Sequence, residues 1–456
     1  MIKHLLNMFE GCGPQLLAVL AGTINAVSDG MQYGWSSPSI PILESENTPV
    51  QLEPGDEVWL ESLYMLGGLV GLPFSIYLVD YAGRKKTVLM SSVVGICGWI
   101  FIGAGTSVTH LFIGRFLLGL TADIAFNASP MYISEIAHQK IRGFLAGIIY
   151  LMMLLGIVII YAIGPLISIQ ASSIVGGSLL LSQFIIFPFM PDSPYYLIYV
   201  DKHEEAKQAL QRLRVEKDVT KELIEISKAV ERQKTEKGRP QDLFLIKSNR
   251  KACFIVMLLN ITQHFAGITI LIMNLHDILN EANFDIMSSS NTAIIFSTLM
   301  LISATVATFV VDKYGRKILL VLSGILTCVA LFAIAIYFHL QYLGLNLVAL
   351  GWVPVLSVMV YAIAFKFGLG IIPIVMTAEL FPARVKGLGM AVSDTMYILA
   401  STLSIYVYQW LSDSYGIYVS FYLFGVCCMF STVLITTYAP ETKGKTLEEI
   451  QMILKK

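Results

Sequence analysis

The chain has 456 residues, of which 55% are hydrophobic and 14% are charged, and its mean hydropathy is +0.70. Soluble chains carry about 25% charged residues, so this composition disfavours a soluble protein and indicates a membrane protein. The 31 Lys and Arg residues nearly balance the 32 Asp and Glu residues, which excludes the strongly basic surface of a nucleic-acid-binding protein.

Apolar runs long enough to cross a bilayer recur along the whole chain. A transmembrane helix needs about 20 mostly apolar residues, bounded by polar or Gly/Pro-rich breaks. Twelve runs meet this description, at residues 15–35, 59–79, 87–105, 109–130, 143–163, 173–190, 252–275, 292–311, 317–338, 348–373, 385–410 and 417–438. The sequence therefore predicts an all-α polytopic protein that lies in the lipid bilayer with twelve transmembrane helices.

Basic residues of the short loops lie on one side of the predicted spans. The loops after the second, fourth, eighth and tenth runs contain Arg84, Lys85, Lys86, Lys140, Arg142, Lys313, Arg316, Lys317, Arg384 and Lys386, whereas the alternate loops contain no Lys or Arg. Positive charge is retained in the cytoplasm when helices insert. Both termini are therefore predicted to be cytoplasmic, and we expect a multi-pass protein of the plasma membrane.

Three motifs occur twice, in the same order. They are D-Y-A-G-R-K-K and D-K-Y-G-R-K (from Asp80 and Asp312), S-E-I-A and A-E-L-F (from Ser134 and Ala378), and P-D-S-P and P-E-T-K (from Pro191 and Pro440). Such a repeat predicts two parallel six-helix bundles, at residues 1–190 and 251–438, a transporter architecture with the substrate site between them. The polar segment 191–250 is predicted to form cytoplasmic amphipathic helices, and residues 439–456 a cytoplasmic tail.

These motifs, with G-R-F-L-L-G from Gly114 and P-E-T-K-G-K-T-L-E-E-I from Pro440, resemble the sugar porter family of the major facilitator superfamily. The resemblance covers essentially the whole chain. G-W-S-S-P-S-I-P from Gly34 and P-D-S-P-Y-Y-L from Pro191 resemble its insect branch, which includes trehalose and hexose transporters. The resemblance implies a carrier of a small polar solute, most simply a hexose or trehalose, that works by facilitated diffusion with alternating access and needs no cofactor.

The resemblance also implies a cytoplasmic gate. In the family, charged residues of the repeated motifs hold the two bundles together while the carrier faces outward, and their counterparts here are Arg84, Arg316, Glu135, Glu379, Arg142 and Arg384. Pairing of arginine with a carboxylate is geometrically specific. The second arginine that the family motif expects is Lys85 or Lys317, so we expect a weaker gate. In a second interpretation Arg84, Lys85 and Lys86 only set the topology.

The expected sugar site departs from the family pattern. Sugar recognition uses neutral amides and hydroxyls in a mostly dry pocket. Of the seventh-helix pattern Q-Q-x-S-G-I-N the chain keeps Gln263 but has His264 and Thr269, and the fifth-helix glutamine becomes Tyr161. Gln32 stands where proton-coupled members have an aspartate, which favours facilitated transport. These five residues are the candidate substrate-binding residues. A second interpretation of His264 is a core histidine that donates to a backbone carbonyl.

Charged residues inside the apolar runs are further candidates. Asp123 in the fourth run and Lys366 in the tenth lie at similar depths, since a helix rises about 1.5 Å per residue above Glu135 and Glu379. A charge at the bilayer centre is costly, so we hypothesise that Asp123 and Lys366 pair across a central cavity. In the alternative, Lys366 contacts water without a fixed partner. Asp29 is a possible proton site.

Other functional classes are less well supported. The changed sugar site leaves open a sensor that binds a sugar but transports poorly, or a proton-coupled carrier of a non-hexose solute. The chain contains no G-x-S-x-G or H-E-x-x-H motif, so no enzymatic activity is predicted. The six cysteines form no C-x-x-C pair and indicate neither a disulfide framework nor a metal site.

Overall fold

The computed structural model describes residues 12–455 except 46–47, 49, 139–140, 216–217, 236–238, 283–286, 383–384 and 446. Lys140 and Arg384, which the sequence places at the cytoplasmic side, lie outside the described residues. The described residues form helices and no strand. Eleven helical segments among them are long and apolar enough to cross a membrane, and they coincide with the second to twelfth predicted runs.

The first half of the chain contains helices of very different lengths. They are α1 (Gly13–Gly22), α2 (Ile24–Tyr33), α3 (Ser36–Leu43), α4 (Asp56–Tyr81), α5 (Arg84–Gly103), α6 (Val108–Ile136), α7 (Arg142–Ile163), α8 (Ile169–Ile186), α9 (Pro194–Tyr199), α10 (His203–Arg214) and α11 (Thr220–Thr235). The 3-10 turn Phe187–Phe189 extends α8.

The second half repeats the long helices. They are α12 (Asp242–Leu245), α13 (Lys247–Phe265), α14 (Ile268–Met273), α15 (Leu275–Glu281), α16 (Ser289–Tyr314), α17 (Arg316–Tyr342), α18 (Trp352–Phe367), α19 (Ile372–Leu380), α20 (Lys386–Tyr415), α21 (Ile417–Tyr438) and α22 (Leu447–Lys455). A 3-10 turn, Val348–Leu350, precedes α18. The seventh predicted run is divided between α13 and α14, and the tenth between α18 and α19.

The first predicted run, at residues 15–35, is not the single continuous helix that the sequence suggested: it covers α1 and α2, and α3 begins directly after it. At the first break the hydroxyl of Thr23 donates to the carbonyls of Val19 at 2.9 Å and Leu20 at 3.3 Å. A threonine hydroxyl that binds a preceding carbonyl competes with the backbone ladder. The second break is at Gly34, and Pro41 cannot donate a backbone hydrogen bond within α3.

The helices form two compact units. Unit 1 comprises residues 1–32, 66–156 and 168–237, and unit 2 comprises 33–65, 157–167 and 238–456. Unit 2 therefore contains two segments of the first sequence repeat, one from Tyr33 to Met65 and one from Ile157 to Ile167. The border between the units falls inside α4 and inside α7. The bundle borders proposed from the sequence remain a prediction.

A close helix crossing fixes part of unit 1. A Cβ atom on Gly30 of α2 would lie 1.8 Å from the carbonyl oxygen of Met153, and one on Gly156 of α7 would lie 2.0 Å from that of Val27. Only glycine allows two backbones to approach this closely, as in small-residue contacts between membrane helices. The crossing lies immediately before the point at which α7 passes from unit 1 into unit 2.

The polar segment between the repeats packs against the end of the fourth span. Helices α10 and α11 share a small apolar core that includes Leu210 and Ile226. Arg214, at the end of α10, pairs with Glu222 at 2.7 Å and donates from Nη1 to the carbonyl of Ile136 at 2.8 Å. A basic side chain is favoured at the carbonyl end of a helix, so Arg214 joins this segment to α6 within unit 1.

Candidate functional site

The first repeated motifs of unit 1 meet at one carboxylate. Arg84 begins α5, and its Nη2 lies 2.8 Å from Oε1 of Glu135 near the end of α6. The hydroxyl of Ser193, from P-D-S-P, donates to the other oxygen of Glu135. Gly83 precedes Arg84 with φ of 87°, a conformation that glycine adopts without strain. Three motifs that are distant in sequence thus form one buried cluster.

Unit 2 contains the same cluster. Nη2 of Arg316, the first residue of α17, lies 2.9 Å from Oε1 of Glu379, and Oγ1 of Thr442 donates to Oε2 of Glu379 at 2.6 Å. The preceding Gly315 has φ of 96°. We call Arg84, Glu135 and Ser193 the first charge cluster, and Arg316, Glu379 and Thr442 the second. Their likeness explains why the three motifs recur together.

Four of the six residues that the sequence assigned to a cytoplasmic gate pair inside their own units. Arg84 with Glu135 and Arg316 with Glu379 are ion pairs between helices of one unit. Arg142 is exposed at the start of α7, and Arg384 lies outside the described residues. A role of these side chains in holding the two bundles together remains a prediction.

The carboxylate next to each cluster in sequence, Asp192 or Glu441, has different contacts in the two units. Glu441 accepts hydrogen bonds from the backbone N–H groups of Arg316 and Lys317, each at 3.0 Å, and so caps the start of α17. Its counterpart Asp192 accepts a bond from the N–H of Ser193 at 2.8 Å. Burial raises the pKa of Asp192. Burial acts in the same direction on Glu441, but the donated backbone bonds outweigh it and lower the pKa of Glu441.

A group of neutral polar side chains surrounds Thr269 in unit 2. Oγ1 of Thr269 lies 2.7 Å from Nδ1 of His264, 3.1 Å from Oγ of Ser401 and 3.2 Å from the hydroxyl of Tyr33. Gly267, with φ of 82°, separates α13 from α14 and turns Thr269 back toward His264. We call His264, Thr269, Ser401 and Tyr33 the neutral polar group.

His264 has an unused nitrogen. The side chain is completely buried, and its Nε2 has no hydrogen-bond partner among the described residues. Its ring meets the ring of Tyr397 edge to face, with centroids 4.2 Å apart. His264 therefore bonds a hydroxyl through Nδ1, not the backbone carbonyl of the second interpretation. A buried nitrogen without a partner favours a bound group that supplies one.

Gln263 and Lys366 lie at the break of the tenth span. Nε2 of Gln263 donates to the carbonyl of Leu369 at 2.6 Å, between α18 and α19. Lys366 is buried in the last turn of α18, with Nζ 5.5 Å from the centre of the Phe365 ring. The glycines that follow Phe367 explain the break, and the amide of Gln263 binds a carbonyl that the break exposes.

Tyr161 belongs to a second contact in unit 2, on the side of the spans opposite the basic loops. Its hydroxyl donates to the carbonyl of Ile272, and its ring meets that of His276 edge to face at 5.5 Å. Oγ of Ser37 lies 2.8 Å from Nδ1 of His276 and accepts its backbone N–H at 3.0 Å. These contacts join segments of the first sequence repeat to α15 and to the end of α14. We call them the opposite-side contact.

Gln32 borders a polar cavity in unit 1. Nη1 of Arg115 donates to the carbonyl of Gln32 at 2.6 Å and to its Oε1 at 2.8 Å, whereas Nε2 of Gln32 has no partner among the described residues. A cavity of about 20 Å3, enough for one water molecule, is lined by polar groups that include Asp29, Gln32 and Thr121. Asp29 and Gln32 thus lie at one site.

Three charged residues inside the predicted apolar runs were not identified as candidates from the sequence. Glu61 is buried in α4, Arg115 is completely buried in α6, and Asp394 is partly buried in α20. A charge in a predicted span, the signal that identified Asp123, identifies all three.

Asp123 lies in unit 1, where Oδ2 accepts a bond from Asn127 at 3.2 Å. Lys366 belongs to unit 2. Asn127 belongs to the same helix as Asp123, and Phe365 belongs to the same helix as Lys366. The pairing of Asp123 with Lys366 therefore stays a hypothesis.

Comparison with known proteins shows which family the chain is similar to. The family model described as "Sugar (and other) transporter" matches residues 45–454. The facilitated trehalose transporter Tret1 of Apis mellifera ligustica is 29% identical over 442 residues, which cover 96% of this chain and 87% of that protein. The protein of the same name from Anopheles gambiae is 27% identical over 440 residues; the chain spans about half, 55%, of its length.

A solved structure shows the fold. The proton:xylose symporter XylE, of the major facilitator superfamily, bound to 6-bromo-6-deoxy-D-glucose, superposes with a TM-score of 0.74. It is 21% identical, and the match covers 96% of this chain and 99% of XylE. The predicted all-α major facilitator fold is therefore confirmed.

Proposed function

The chain belongs to the sugar (and other) transporter family, and we propose that it moves a sugar, trehalose or a hexose, across a membrane by facilitated diffusion. It is a carrier and not an enzyme. The observation that supports a sugar most directly is the neutral polar group around Thr269. The trehalose transporters that it resembles favour the same class of solute. We further propose the plasma membrane as its location, with both termini in the cytoplasm.

The chemistry of the neutral polar group matches a sugar. Its three hydroxyls can each donate and accept a hydrogen bond, and Nε2 of His264 offers one more bonding position. The hydroxyls of a sugar also donate and accept, so they can bond each of these groups. None of these four side chains carries a charge when the imidazole is neutral. A charged solute bound only by this group would have its charge buried without an ionic partner, which costs on the order of several kcal/mol. The aromatic ring of Tyr397 adds an apolar face beside His264.

The same group joins the solute site to the opposite-side contact. Tyr33 belongs to the segment of the first repeat that packs in unit 2, and its hydroxyl bonds Thr269. Alternating access requires this segment to leave α14 and α15 when the site opens to that side. A sugar hydroxyl that replaces the Tyr33 hydroxyl at Thr269 therefore couples solute binding to opening. Because a ligand shifts a conformational equilibrium only through different contacts in the two states, this exchange is the proposed coupling step.

Facilitated diffusion is favoured by a neutral residue at position 32. Gln32 is held by Arg115 through its own amide oxygen and cannot release a proton. The second candidate is a proton-coupled carrier, and the observation that favours it is Asp29, a titratable residue in the same cavity. An inward proton gradient distinguishes the two, because only a coupled carrier accumulates the sugar above its outside concentration. Asp29→Asn abolishes that accumulation if Asp29 is the proton site.

The test of the proposed function is a competition panel on the purified carrier in proteoliposomes. Counterflow of labelled trehalose or glucose is expected to be saturable, and to be reduced by unlabelled disaccharides or hexoses but not by charged solutes. Binding of a sugar without uptake and without counterflow would instead support the sensor. Competition by an organic anion or cation stronger than by any sugar would contradict a sugar carrier of any mechanism.

A further inference from the structure

We propose that His276 and Ser37 form a proton-responsive latch in the opposite-side contact, which proton binding to His276 from that side releases. The inference rests on the proposed alternating access and goes beyond the choice of solute. Ser37 belongs to α3 and the first sequence repeat, whereas His276 belongs to α15 and the second. A bond between them exists only while these segments are packed together.

The surroundings of the ring favour a neutral imidazole. His276 is 5% exposed, and both its backbone N–H and its Nδ1 bond one atom, Oγ of Ser37. Its Nε2 has no partner among the described residues. A protonated ring donates from both nitrogens, so it would present a charged Nε2–H that has no acceptor among the described residues. The carbonyl of Ile272 is already occupied by the hydroxyl of Tyr161.

No described residue of the neighbouring elements places a compensating charge at the ring. Tyr161 of α7 faces it with an aromatic edge, and α14 contains no titratable residue. On α16 the titratable residues lie at the far end, from position 312 onward. The described carboxylates in this region include Glu44, which follows α3, Asp277 and Glu281 on α15 itself, and Glu61 of α4. Burial alone lowers the pKa of His276 to about 4, with no contribution from these carboxylates.

The sign of the effect follows from proton linkage. An exposed histidine has a pKa of about 6.5, so the open form binds a proton more tightly than the closed form. The closed form is favoured fully above pH of about 6.5 and loses this advantage as the pH falls toward about 4. At a pH of about 5.5 the ratio of open to closed molecules is expected to rise about tenfold through His276.

Labelling of a buried cysteine measures the open form without any transport assay. Met65 ends the segment of the first repeat that packs in unit 2, and it is buried against the hydroxyl of Ser401. In a chain whose six native cysteines are replaced, Met65→Cys is therefore expected to become reactive when the opposite-side contact opens and this segment leaves the second repeat. A membrane-impermeant maleimide is added from the opposite side at pH of about 7.5 and about 5.5. Each rate is divided by that of His276→Asn at the same pH, which removes the pH dependence of the thiol itself.

The matched control is His110→Asn. His110 also bonds a serine through Nδ1, Oγ of Ser107 at 2.7 Å, but both residues lie at the start of α6 in unit 1 and join no separate segments. The chain with His276 is expected to label up to about tenfold faster than His276→Asn at the lower pH and at a similar rate at the higher pH. His110→Asn is expected to behave like the chain with both histidines.

The proposal is overturned if the ratio of labelling rates is the same at both pH values. It is also overturned if His110→Asn removes the pH response as His276→Asn does. If His276→Asn does not fold, Ser37→Ala replaces it, because loss of the accepting oxygen is expected to raise labelling at both pH values. If Ser37→Ala is labelled at the wild-type rate at both pH values, the latch is overturned. A pH-dependent labelling rate in a chain that transports no sugar would contradict the proposed function alone.

Discussion

Gln451 donates from Nε2 to the backbone carbonyl of Leu380 at 2.6 Å, where α22 packs on the end of α19. Leu380 follows Glu379 as Ile136 follows Glu135, and the carbonyl of Ile136 accepts a bond from Arg214 of α10 at 2.8 Å. In each repeat, the helix that carries the paired glutamate thus ends in a residue whose carbonyl accepts a side-chain hydrogen bond from a helix outside the spans. This fourth repeated feature joins the charge clusters to the polar segment in unit 1 and to the tail in unit 2.

Replacement of Gln451 tests the cap. Gln451→Met keeps the length of the side chain but leaves the carbonyl of Leu380 without its donor, which is expected to cost about 1–3 kcal/mol of stability. Thermal unfolding in detergent, followed by tryptophan fluorescence, measures the change. Lys455→Gln, on the same helix at an exposed position, is the control and is expected to leave the midpoint unchanged. Equal midpoints for both variants would show that the bond contributes nothing.

Asp192 and Glu441 are expected to respond oppositely to neutralisation. Since burial raises the pKa of Asp192, its ionised form is disfavoured in the folded chain, and stability is lost as the pH rises through that pKa. Glu441 has a lowered pKa, so it stabilises the fold above its unfolded pKa of about 4.3 and loses this as the pH falls. At pH of about 7, Asp192→Asn should raise the unfolding midpoint and Glu441→Gln should lower it. Shifts of the same sign would contradict the difference between the two clusters.

The crossing of α2 and α7 provides a steric test. Gly156→Ala places a methyl group 2.0 Å from the carbonyl of Val27, which neither backbone can accommodate without separation of the helices. The expected result is loss of several kcal/mol of stability, above the cost of about 1–3 kcal/mol for ordinary overpacking. Gly143→Ala in the same helix meets no atom within 4 Å and is the control. Similar expression and unfolding of the two variants would disprove the crossing.

Much of this architecture is predictable from the sequence. The spans are predictable because lipid excludes polar side chains from long stretches, and the repeat is visible because Arg84, Glu135 and Ser193 recur as Arg316, Glu379 and Thr442. The repeat indicated which residues matter but not which of them pair. That Arg84 bonds Glu135 of its own unit depends on helix packing, which periodicity does not reveal.

Other features depend on contacts that no local pattern signals. The bond from Gln451 to Leu380 is an example, since a glutamine on an amphipathic helix is ordinary. The break at Thr23 depends on a hydroxyl that binds a carbonyl, although threonine is also common within helices. Arg115 was detectable as a charge in an apolar run, but its bonds to Gln32 were not.

Asp277 is expected to oppose the effect of His276. Burial, and then the charge of Glu44, raise the pKa of Asp277 to about 7, so the closed form holds its proton more tightly and is favoured below that pH. Asp277→Asn should therefore increase the rise in Met65→Cys labelling between pH of about 7.5 and about 5.5. Asp413→Asn, at an exposed position of α20, is the control. A smaller rise in Asp277→Asn than in the control would contradict this assignment.

The central claim is that the neutral polar group around Thr269 binds the transported sugar. Thr269→Val keeps the shape of the side chain and removes the oxygen that bonds His264, Ser401 and Tyr33. Thr262→Val removes a hydroxyl that bonds the carbonyl of Leu258 in its own helix. The decisive measurement is counterflow of labelled trehalose or glucose by both variants in proteoliposomes, at equal amounts of folded protein. We expect Thr269→Val to lower the rate of counterflow at least about tenfold, which corresponds to the free energy of about one buried hydrogen bond. Thr262→Val is expected to show near-normal counterflow. Normal counterflow in Thr269→Val, or an equal loss in both variants, would contradict the central claim.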